Sequence, residues 1–375
     1  MSAIKTIIIS RTDKIGDFVV SIPSFATAKA MYPEAKVIAL VSKNNWMIAK
    51  NLNCVDECIC IDHFKEGQDI ADYLAQYHPD VFIALVSDNR ISKLAKDCGA
   101  SIRIGPLSKI MSFFHYNKGV RQRRSLCQKS EAEYNLDLVR SLDRHLFDEV
   151  GVRFDRIIYT QREKASIVSY FHQEGIMGED FILVNPFTGG SGSNLSIAGY
   201  AQIIEGLLNE DNIRRYGLSG SQDSLPGSQD SLPGSTDSLA VVPPKIIIMG
   251  IEPNREACKQ ILSLIPEHYH QYIHTFINVD SLLVAAAMVD SCKVFIGPST
   301  GITQIAGNYH KSAICFYSTR KSNSHTRWAL YGDPNEHPVT LDLDMLDPNT
   351  KELKVLSPEI KEQVLLPALQ DFYQK

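Results

Sequence analysis

The 375-residue sequence lacks several features that would each indicate a class of protein. No apolar run reaches the length of a transmembrane helix, and the run at 7–9 is too short for a signal peptide, since Arg11 and Asp13 follow it. The net charge is −5 and the isoelectric point is about 6.1, so the excess of positive charge typical of bulk nucleic-acid binding is missing. We expect a globular, cytoplasmic protein with no nucleic-acid partner, at most peripheral to a membrane.

Metal-binding and dinucleotide-binding patterns are also missing. The eight cysteines are scattered, and Cys54, Cys58 and Cys60 have no partner pair of cysteines or histidines to complete a zinc site. We therefore expect buried, reduced thiols and no metal or other cofactor. No G-x-G-x-x-G follows either leading strand, which disfavours a dehydrogenase.

Short β-branched runs alternate with helical patterns along the chain, which is typical of parallel α/β layers. The predicted strands cover 4–10, 36–41, 58–61, 81–86 and 101–104, and then 181–186, 245–250, 274–279, 293–296 and 312–317. The main predicted helices cover 18–31, 69–77, 131–146 and 201–209. The two series predict an N-terminal domain over 1–162 and a C-terminal domain over 163–357, followed by a terminal helix over 358–375 that packs back on the first domain.

One segment departs from this alternation. The heptapeptide that begins at Gly220 is repeated from Gly227 and, imperfectly, from Gly234. Each unit contains glycine and usually proline, which excludes a continuous helix in spite of the seven-residue period. We interpret 218–243 as a low-complexity insertion that forms a flexible surface loop, without a function and tolerant of deletion.

A polar loop after the first predicted strand contains Gly16 and Asp17. Two compatible interpretations of Asp17 stay open. Aspartate is a favoured helix N-cap, and a carboxylate beyond the carboxyl edge of a parallel sheet faces the ligand crevice, where it can act as a general base.

Two further loops follow strands of the second series. The loop at 185–193 is rich in glycine, and the segment 297–301 reads Gly-Pro-Ser-Thr-Gly before a helical stretch. In the latter, Gly301 permits close approach of a ligand, Thr300 offers a hydroxyl, and the first N–H groups of the helix point at an anion. An ordinary capped turn is the alternative. Because all three loops follow strand ends, we expect them to converge on one cleft.

Together these motifs resemble glycosyltransferase family 9, the bacterial heptosyltransferases of lipopolysaccharide core assembly. The resemblance spans nearly the whole chain, in order, and is carried by 15–17 with 22–23, by 131–138, by the loop that begins at 185, and by 297–301 with 305–306. It implies an α/β protein of GT-B architecture, in which two Rossmann-like domains with parallel sheets face each other across a cleft. The acceptor then binds the N-terminal domain, and the nucleotide sugar binds the C-terminal domain.

The activity implied by the resemblance is inverting, metal-independent glycosyl transfer, with ADP-heptose as the expected donor and a lipopolysaccharide core saccharide as the acceptor. Asp17 matches the family's catalytic aspartate and would take the proton from the acceptor hydroxyl. The backbone at the start of the helix after Thr300 would stabilise the leaving diphosphate in place of a cation. The implied donor-binding residues are Thr188, Ser193, Glu256, Val279, Ser299, Thr300, Gly301 and Ile302.

Three positions depart from the family pattern. Ser193, Ser299 and Gln304 stand where many members carry lysine, aspartate and histidine, respectively. Fewer charges then hold the donor, so a different sugar or nucleotide is an alternative to ADP-heptose. A GT-B nucleotide-sugar epimerase and a binding protein without catalysis are two further alternatives. The combination of Gly16-Asp17 and the Pro-Ser-Thr-Gly loop favours transfer over an epimerase, and the presence of Asp17 argues against a binding protein without catalysis.

A basic cluster lies in this otherwise acidic chain. Its members are Lys109, Lys118, Arg121, Arg123, Arg124 and Lys129. One interpretation is a solvated face. The other is contact with an anionic, lipid-linked saccharide at the inner face of the inner membrane, in which case Gly16, Lys118, Arg121, Arg123 and Arg124 form the acceptor site.

Overall fold

The computed structural model describes residues 3–64, 70–189, 193–218, 241–278, 280–342, 346, 349, 352–353 and 356–374. The heptapeptide repeats and Val279 lie outside the described residues. The chain divides into two compact units. The first comprises Met1–Glu163, Gly307–Tyr309 and Lys321–Asp333, and the second comprises Lys164–Ala306, His310–Arg320 and Pro334–Lys375.

The first unit is built on a parallel sheet. Its strands are β1 (Thr6–Arg11), β2 (Lys36–Val41), β3 (Glu57–Cys60), β4 (Val81–Ala84), β5 (Ile102–Pro106) and β6 (Lys118–Val120). They are ordered β3-β2-β1-β4-β5-β6. Every residue of β1 is buried, as expected for a central parallel strand covered on both faces. The strand order reverses between β1 and β4, and ligands of such sheets bind outside the carboxyl ends of the strands at this switch point.

Short helices connect these strands or follow the last of them. They are α1 (Ile15–Val19), α2 (Ile22–Met31), α3 (Lys43–Ala49), α4 (Ile70–Ala75), α5 (Asn89–Asp97), α6 (Ser112–His115), α7 (Glu131–Arg140) and α8 (Arg144–Val150), with 3₁₀ turns at Ile61–His63 and Arg124–Leu126. The helix α9 (Gln161–Glu174) leads into the second unit.

Two predicted helices are each broken in two. The helix predicted at 18–31 ends at Val19 and restarts at Ile22, because Pro23 has no N–H group to continue the helical hydrogen bonds and is tolerated only in a first turn. The helix predicted at 131–146 ends at Arg140. Asp143 then caps a new helix by accepting a hydrogen bond of 3.0 Å from the Leu146 N–H.

The second unit contains another parallel sheet of six strands. Its strands are β7 (Phe181–Val184), β9 (Lys245–Ile251), β10 (Ile273–Asn278), β11 (Val294–Pro298), β12 (Ser312–Ser318) and β13 (Glu336–Leu341), and a separate parallel pair is formed by β8 (Asn194–Leu195) and β14 (Glu352–Leu353). The order is β10-β9-β7-β11-β12-β13, so the switch point lies between β7 and β11. The prediction of an α/β protein with two parallel sheets is confirmed.

The remaining helices and turns belong to the second unit, apart from one helix and one turn. They are α10 (Ile197–Leu208), α11 (Glu210–Asn212), a π-helical turn (Ile213–Gly217), α12 (Arg255–Ser263), α13 (Leu282–Ser291), α14 (Gly301–Asn308), α15 (His325–Trp328) and α16 (Pro358–Gln374), with 3₁₀ turns at Glu252–Asn254, Glu267–Tyr272 and Lys321–Asn323. The helix α15 and the 3₁₀ turn at Lys321–Asn323 belong to the first unit. Among the described helices, none is long and apolar enough to cross a membrane.

The terminal helix α16 packs within the second unit, whereas we expected it to pack on the first. Its buried face contains Val364, Leu365, Ala368 and Leu369, which join the core of the second unit beside α10. The expectation was wrong because amphipathicity predicts that a helix buries one face but does not say against which sheet.

Candidate functional site

Asp17 lies in the first turn of α1, directly after β1 and beyond the carboxyl edge of the first sheet. The N-cap position of this helix is occupied by Lys14, so Asp17 does not cap it. Instead, Asp17 Oδ1 accepts a hydrogen bond of 2.9 Å from Arg11 Nη2, and 19% of the Asp17 side chain is exposed. The carboxylate is therefore oriented by an arginine while it keeps access to solvent.

The Arg11 guanidinium is buried at the switch point and connects both sides of it. Its Nε donates to Asp13 Oδ1 at 2.7 Å, and its Nη1 donates to the carbonyl oxygen of Leu85, the residue after β4, at 3.1 Å. Nη1 also donates to Asn135 Oδ1 at 3.0 Å and to Glu131 Oε1 at 3.2 Å. Burial alone would lower the pKa of Arg11, but the neighbouring carboxylates outweigh this effect, and the pKa of Arg11 is raised.

Glu131 is buried in α7 and is shared by three arginines. Besides Arg11, it pairs with Arg124 through Oε1 and with Arg327 through Oε2, the latter at 2.9 Å. Burial lowers the pKa of Arg124 to about 10, although Glu131 opposes this. For Glu131, burial is outweighed by the three arginines, and its pKa falls below the ordinary value. With Asp13 and Asp17 as the other carboxylates, three positive charges balance three negative ones.

For Asp17 burial also raises the pKa, and here its effect exceeds the attraction of the arginine. Desolvation raises the pKa of Asp17 to about 6, because the attraction of Arg11 is partly offset by the repulsion of Asp13 and Glu131. A group with this pKa is about nine-tenths ionised at pH 7 and still binds a proton readily, which suits a general base.

The predicted basic cluster is divided in the structure. Arg124 belongs to the buried network around Glu131, and Lys118 Nζ donates to the Leu142 carbonyl at 2.9 Å. Lys118, Arg121 and Arg123 are nevertheless exposed, whereas Gly16, the remaining predicted acceptor residue, is half-buried in α1. Of the predicted basic acceptor residues, Arg124 alone is drawn into the ion network, and the other three face solvent as the acceptor hypothesis requires.

In the second unit, two of the predicted loops lie side by side at the switch point. The loop after β7 begins at Asn185, whose N–H donates to the Ile296 carbonyl of β11 at 2.9 Å. A Cβ atom at Gly297 would lie only 3.0 Å from the Asn185 carbonyl oxygen, so glycine favours this close approach of the two backbones.

The turn between β11 and α14 is fixed by hydrogen bonds. The Ser299 N–H donates to the Phe316 carbonyl at 3.1 Å. The buried Thr303 hydroxyl donates to the Pro298 carbonyl, and its oxygen lies 3.2 Å from Thr300 Oγ1. The first N–H groups of α14, at Gly301 and Ile302, have no acceptor within the helix, which is the arrangement that binds anions.

The other predicted donor residues are placed less uniformly. Thr188 is half-buried in the loop after β7, and Ser193 is buried just before β8. Glu256 lies on the exposed face of α12, where it forms an ion pair of 2.7 Å with Lys259. Val279 is not among the described residues.

Sequence reasoning missed Arg11, Arg327 and Thr303 as members of these sites. Arg11 had a local signal, because a charged residue that directly follows a mostly β-branched, apolar run must find partners when it is buried. Arg327 had none, since it reaches Glu131 across 196 positions of the chain.

Comparison with known proteins agrees with this architecture. No protein-family model matches the chain. A putative glycosyltransferase of Haemophilus influenzae is 27% identical over 340 residues, which cover 88% of this chain and 87% of that protein. The crystal structure of a family 9 glycosyltransferase from Veillonella parvula aligns with 98% of this chain and 99% of that one, at a TM-score of 0.71 and 15% identity. For the E. coli ADP-heptose lipopolysaccharide heptosyltransferase II, the coverage is 96% and 98%, the TM-score 0.67 and the identity 15%.

These comparisons confirm the GT-B fold that the motifs predicted. They also confirm the prediction of a glycosyltransferase that resembles family 9.

Proposed function

We propose that this protein is an inverting, metal-independent glycosyltransferase that transfers heptose from ADP-heptose to a lipid-linked, anionic saccharide of the lipopolysaccharide core. Asp17 is the general base. The donor binds the second unit through the loop after β7 and the start of α14.

The environment of Asp17 carries the proposal. The carboxylate lies at the switch point of the first sheet, is hydrogen-bonded to the buried Arg11, and has its pKa raised to about 6 by burial. A surface aspartate would be a much weaker base at neutral pH. The Arg11 contact uses Oδ1 and fixes the orientation of the carboxylate, which leaves Oδ2 as the oxygen for the acceptor hydroxyl.

The proposed reaction is a single displacement. The acceptor O–H bond breaks as its proton passes to Asp17, and the acceptor oxygen forms a bond to the anomeric carbon. The bond from that carbon to the diphosphate oxygen breaks on the opposite face, so the anomeric configuration inverts. The nucleoside diphosphate leaves with an additional negative charge.

The second unit offers groups that suit this leaving charge. The N–H groups at Gly301 and Ile302 open α14, whose N-terminus carries a partial positive charge. Thr188 and Thr300 add hydroxyls from the two adjacent loops. An ADP-heptose donor is further supported by the structural likeness to an ADP-heptose heptosyltransferase, which is a likeness of fold.

A donor with another nucleotide or sugar is the second candidate. It is favoured by Ser193, Ser299 and Gln304, which replace ionisable residues that are frequent at these positions in the family. Ser193 and Gln304 are both buried here.

A panel of ADP-, UDP-, GDP- and CDP-linked sugars tests the donor by thermal shift, because a ligand that binds only the folded state raises its melting temperature. We expect stabilisation by ADP-heptose, both in the wild type and in Asp17→Asn. Stabilisation by another nucleotide sugar would favour the second candidate, and no response to any would contradict the proposal.

Transfer is then followed with ADP-heptose and a lipid-linked core acceptor. We expect a product of inverted anomeric configuration by NMR, formed equally well in the presence of EDTA. Asp17→Asn should bind the donor but lose transfer. Retention of configuration, or loss of transfer in EDTA that added Mg²⁺ restores, would refute the mechanism.

A further inference from the structure

We infer that the connection between β5 and β6 inserts into the surface of an anionic lipid bilayer. Its apolar residues are exposed to an unusual degree: Ile110 is 80% exposed, Phe114 68%, Phe113 50% and Met111 44%. Four such side chains lie within five positions of the chain, and we call them the 110–114 surface. Apolar patches of this kind typically mark sites of protein or membrane contact.

The polarity of α6 is the reverse of that of an ordinary surface helix. Its buried residues are Ser112 and His115, and His115 Nδ1 is hydrogen-bonded to Ser92 Oγ of α5 at 2.8 Å. The two phenylalanines of the helix, Phe113 and Phe114, are exposed to solvent. A surface helix normally buries its apolar face and exposes its polar one. The polar side chains therefore anchor the helix to the protein, and the phenylalanine side chains remain available for contact with an apolar partner.

The charge around the 110–114 surface indicates which partner covers it. The stretch 107–129 contains six lysines and arginines and no aspartate or glutamate, in a chain whose net charge is −5. Lys109, Arg121 and Arg123 are exposed. An isologous contact with a second copy would place these like charges against each other, whereas a bilayer of anionic lipids is complementary to both the charge and the apolar side chains.

The position of this surface connects it with the site on the first unit. Ser108 is hydrogen-bonded through its hydroxyl to Ser87, which follows β4, and the Leu107 N–H donates to the Val120 carbonyl at the end of β6. The 110–114 surface therefore begins at the carboxyl edge of the first sheet. Asp17 lies at the same edge, because all six strands are parallel. This inference deepens the proposed function, since a lipid-linked acceptor would be presented to that edge.

Co-sedimentation with vesicles tests the inference without any measurement of activity, so its failure is separable from that of the proposed function. The purified protein is mixed with vesicles of phosphatidylglycerol and phosphatidylethanolamine, or of phosphatidylcholine alone. We expect binding to the anionic vesicles only, weakened by 0.5 M salt. The double variant Phe113→Ser/Phe114→Ser should bind at least about tenfold more weakly, from the apolar area that each side chain buries. Its melting temperature should be close to that of the wild type, since both residues are exposed.

The matched control is Met177→Ser/Leu264→Ser, which removes two side chains that are each 54% exposed in the second unit. The control should bind like the wild type. Equal loss of binding in both double variants, or no binding of the wild type to anionic vesicles, would overturn the inference. So would a dimer in size-exclusion chromatography that the Phe113/Phe114 variant dissociates, because the 110–114 surface would then be covered by a second copy.

Discussion

Replacement of Asp17 by asparagine should stabilise the first unit at neutral and alkaline pH. Burial raises the pKa of this carboxyl from its ordinary value of 3.8 to about 6. Because the pKa is about two pH units higher in the folded state than in the unfolded state, ionisation of this group lowers the free energy of unfolding by roughly 3 kcal/mol. Asparagine has nearly the same shape and can still accept the hydrogen bond from Arg11, but it carries no charge to desolvate.

The sign of the effect follows from linkage. Since the folded state holds the proton of Asp17 more tightly than the unfolded state, the contribution of this group to stability is fully present below about pH 4. It declines as the pH rises and is lost above about pH 6. The asparagine variant lacks this decline. The difference in the free energy of unfolding between Asp17→Asn and the wild type should therefore be about 2–3 kcal/mol larger, in favour of the variant, at pH 8 than at pH 4.

Urea unfolding followed by tryptophan fluorescence measures this difference. The two tryptophans of the chain, Trp46 and Trp328, both lie in the first unit, so the signal reports the unfolding of the unit that contains Asp17. The control variant Glu34→Gln removes an exposed carboxylate from the same unit and should differ little from the wild type. The reasoning is refuted if the free energy of unfolding of Asp17→Asn exceeds that of the wild type by the same amount at pH 4 and pH 8, or by less at pH 8.

Two further predictions concern the same unit. Asp13→Asn removes a negative charge that raises the pKa of Asp17, so the acidic limb of the kcat/KM profile should move to lower pH; an unchanged or raised limb would contradict the charge balance around Arg11. Gly332→Ala should destabilise the unit by roughly 2–4 kcal/mol, because Gly332 has φ of +78° and an added Cβ would lie 2.7 Å from the Phe154 ring. Gly99→Ala, at φ of +77° with no atom within 4 Å of the added Cβ, should cost only about 1 kcal/mol in the same urea titration, and equal losses would show that the Phe154 contact is irrelevant.

Central strands were predictable because their signal is local. A parallel strand that is covered on both faces reads as a continuous β-branched run, as in β1 and β2. The edge strands β6 and β13 were missed. They are short or carry polar residues, and β13 contains Pro338, which is tolerated at the edge of a sheet but obscures the pattern of a strand.

The candidate site was predictable where the motif is contiguous, as for Asp17 and for Thr300 with Gly301. The chemistry of Asp17 was not, because its pKa depends on partners far apart in sequence. Glu131 is 120 positions from Arg11, and Arg327 is 196 positions from Glu131. Local patterns carry no information on such distances. The same holds for the basic cluster, in which burial assigned Arg124 to the ion network and left Arg121 exposed.

The pH dependence of kcat/KM for heptosyl transfer, measured on the wild type and on Asp17→Asn, tests most directly whether Asp17 is the general base. With a pKa of about 6 for Asp17, the wild-type rate should fall close to tenfold for each pH unit well below 6 and reach a plateau above 7. At the plateau, kcat/KM of Asp17→Asn should be about 10²–10⁴-fold lower than that of the wild type. Its profile should also lack the acidic limb that the titration of Asp17 produces. A variant that retains most of the activity, with the same acidic limb as the wild type, would contradict the account.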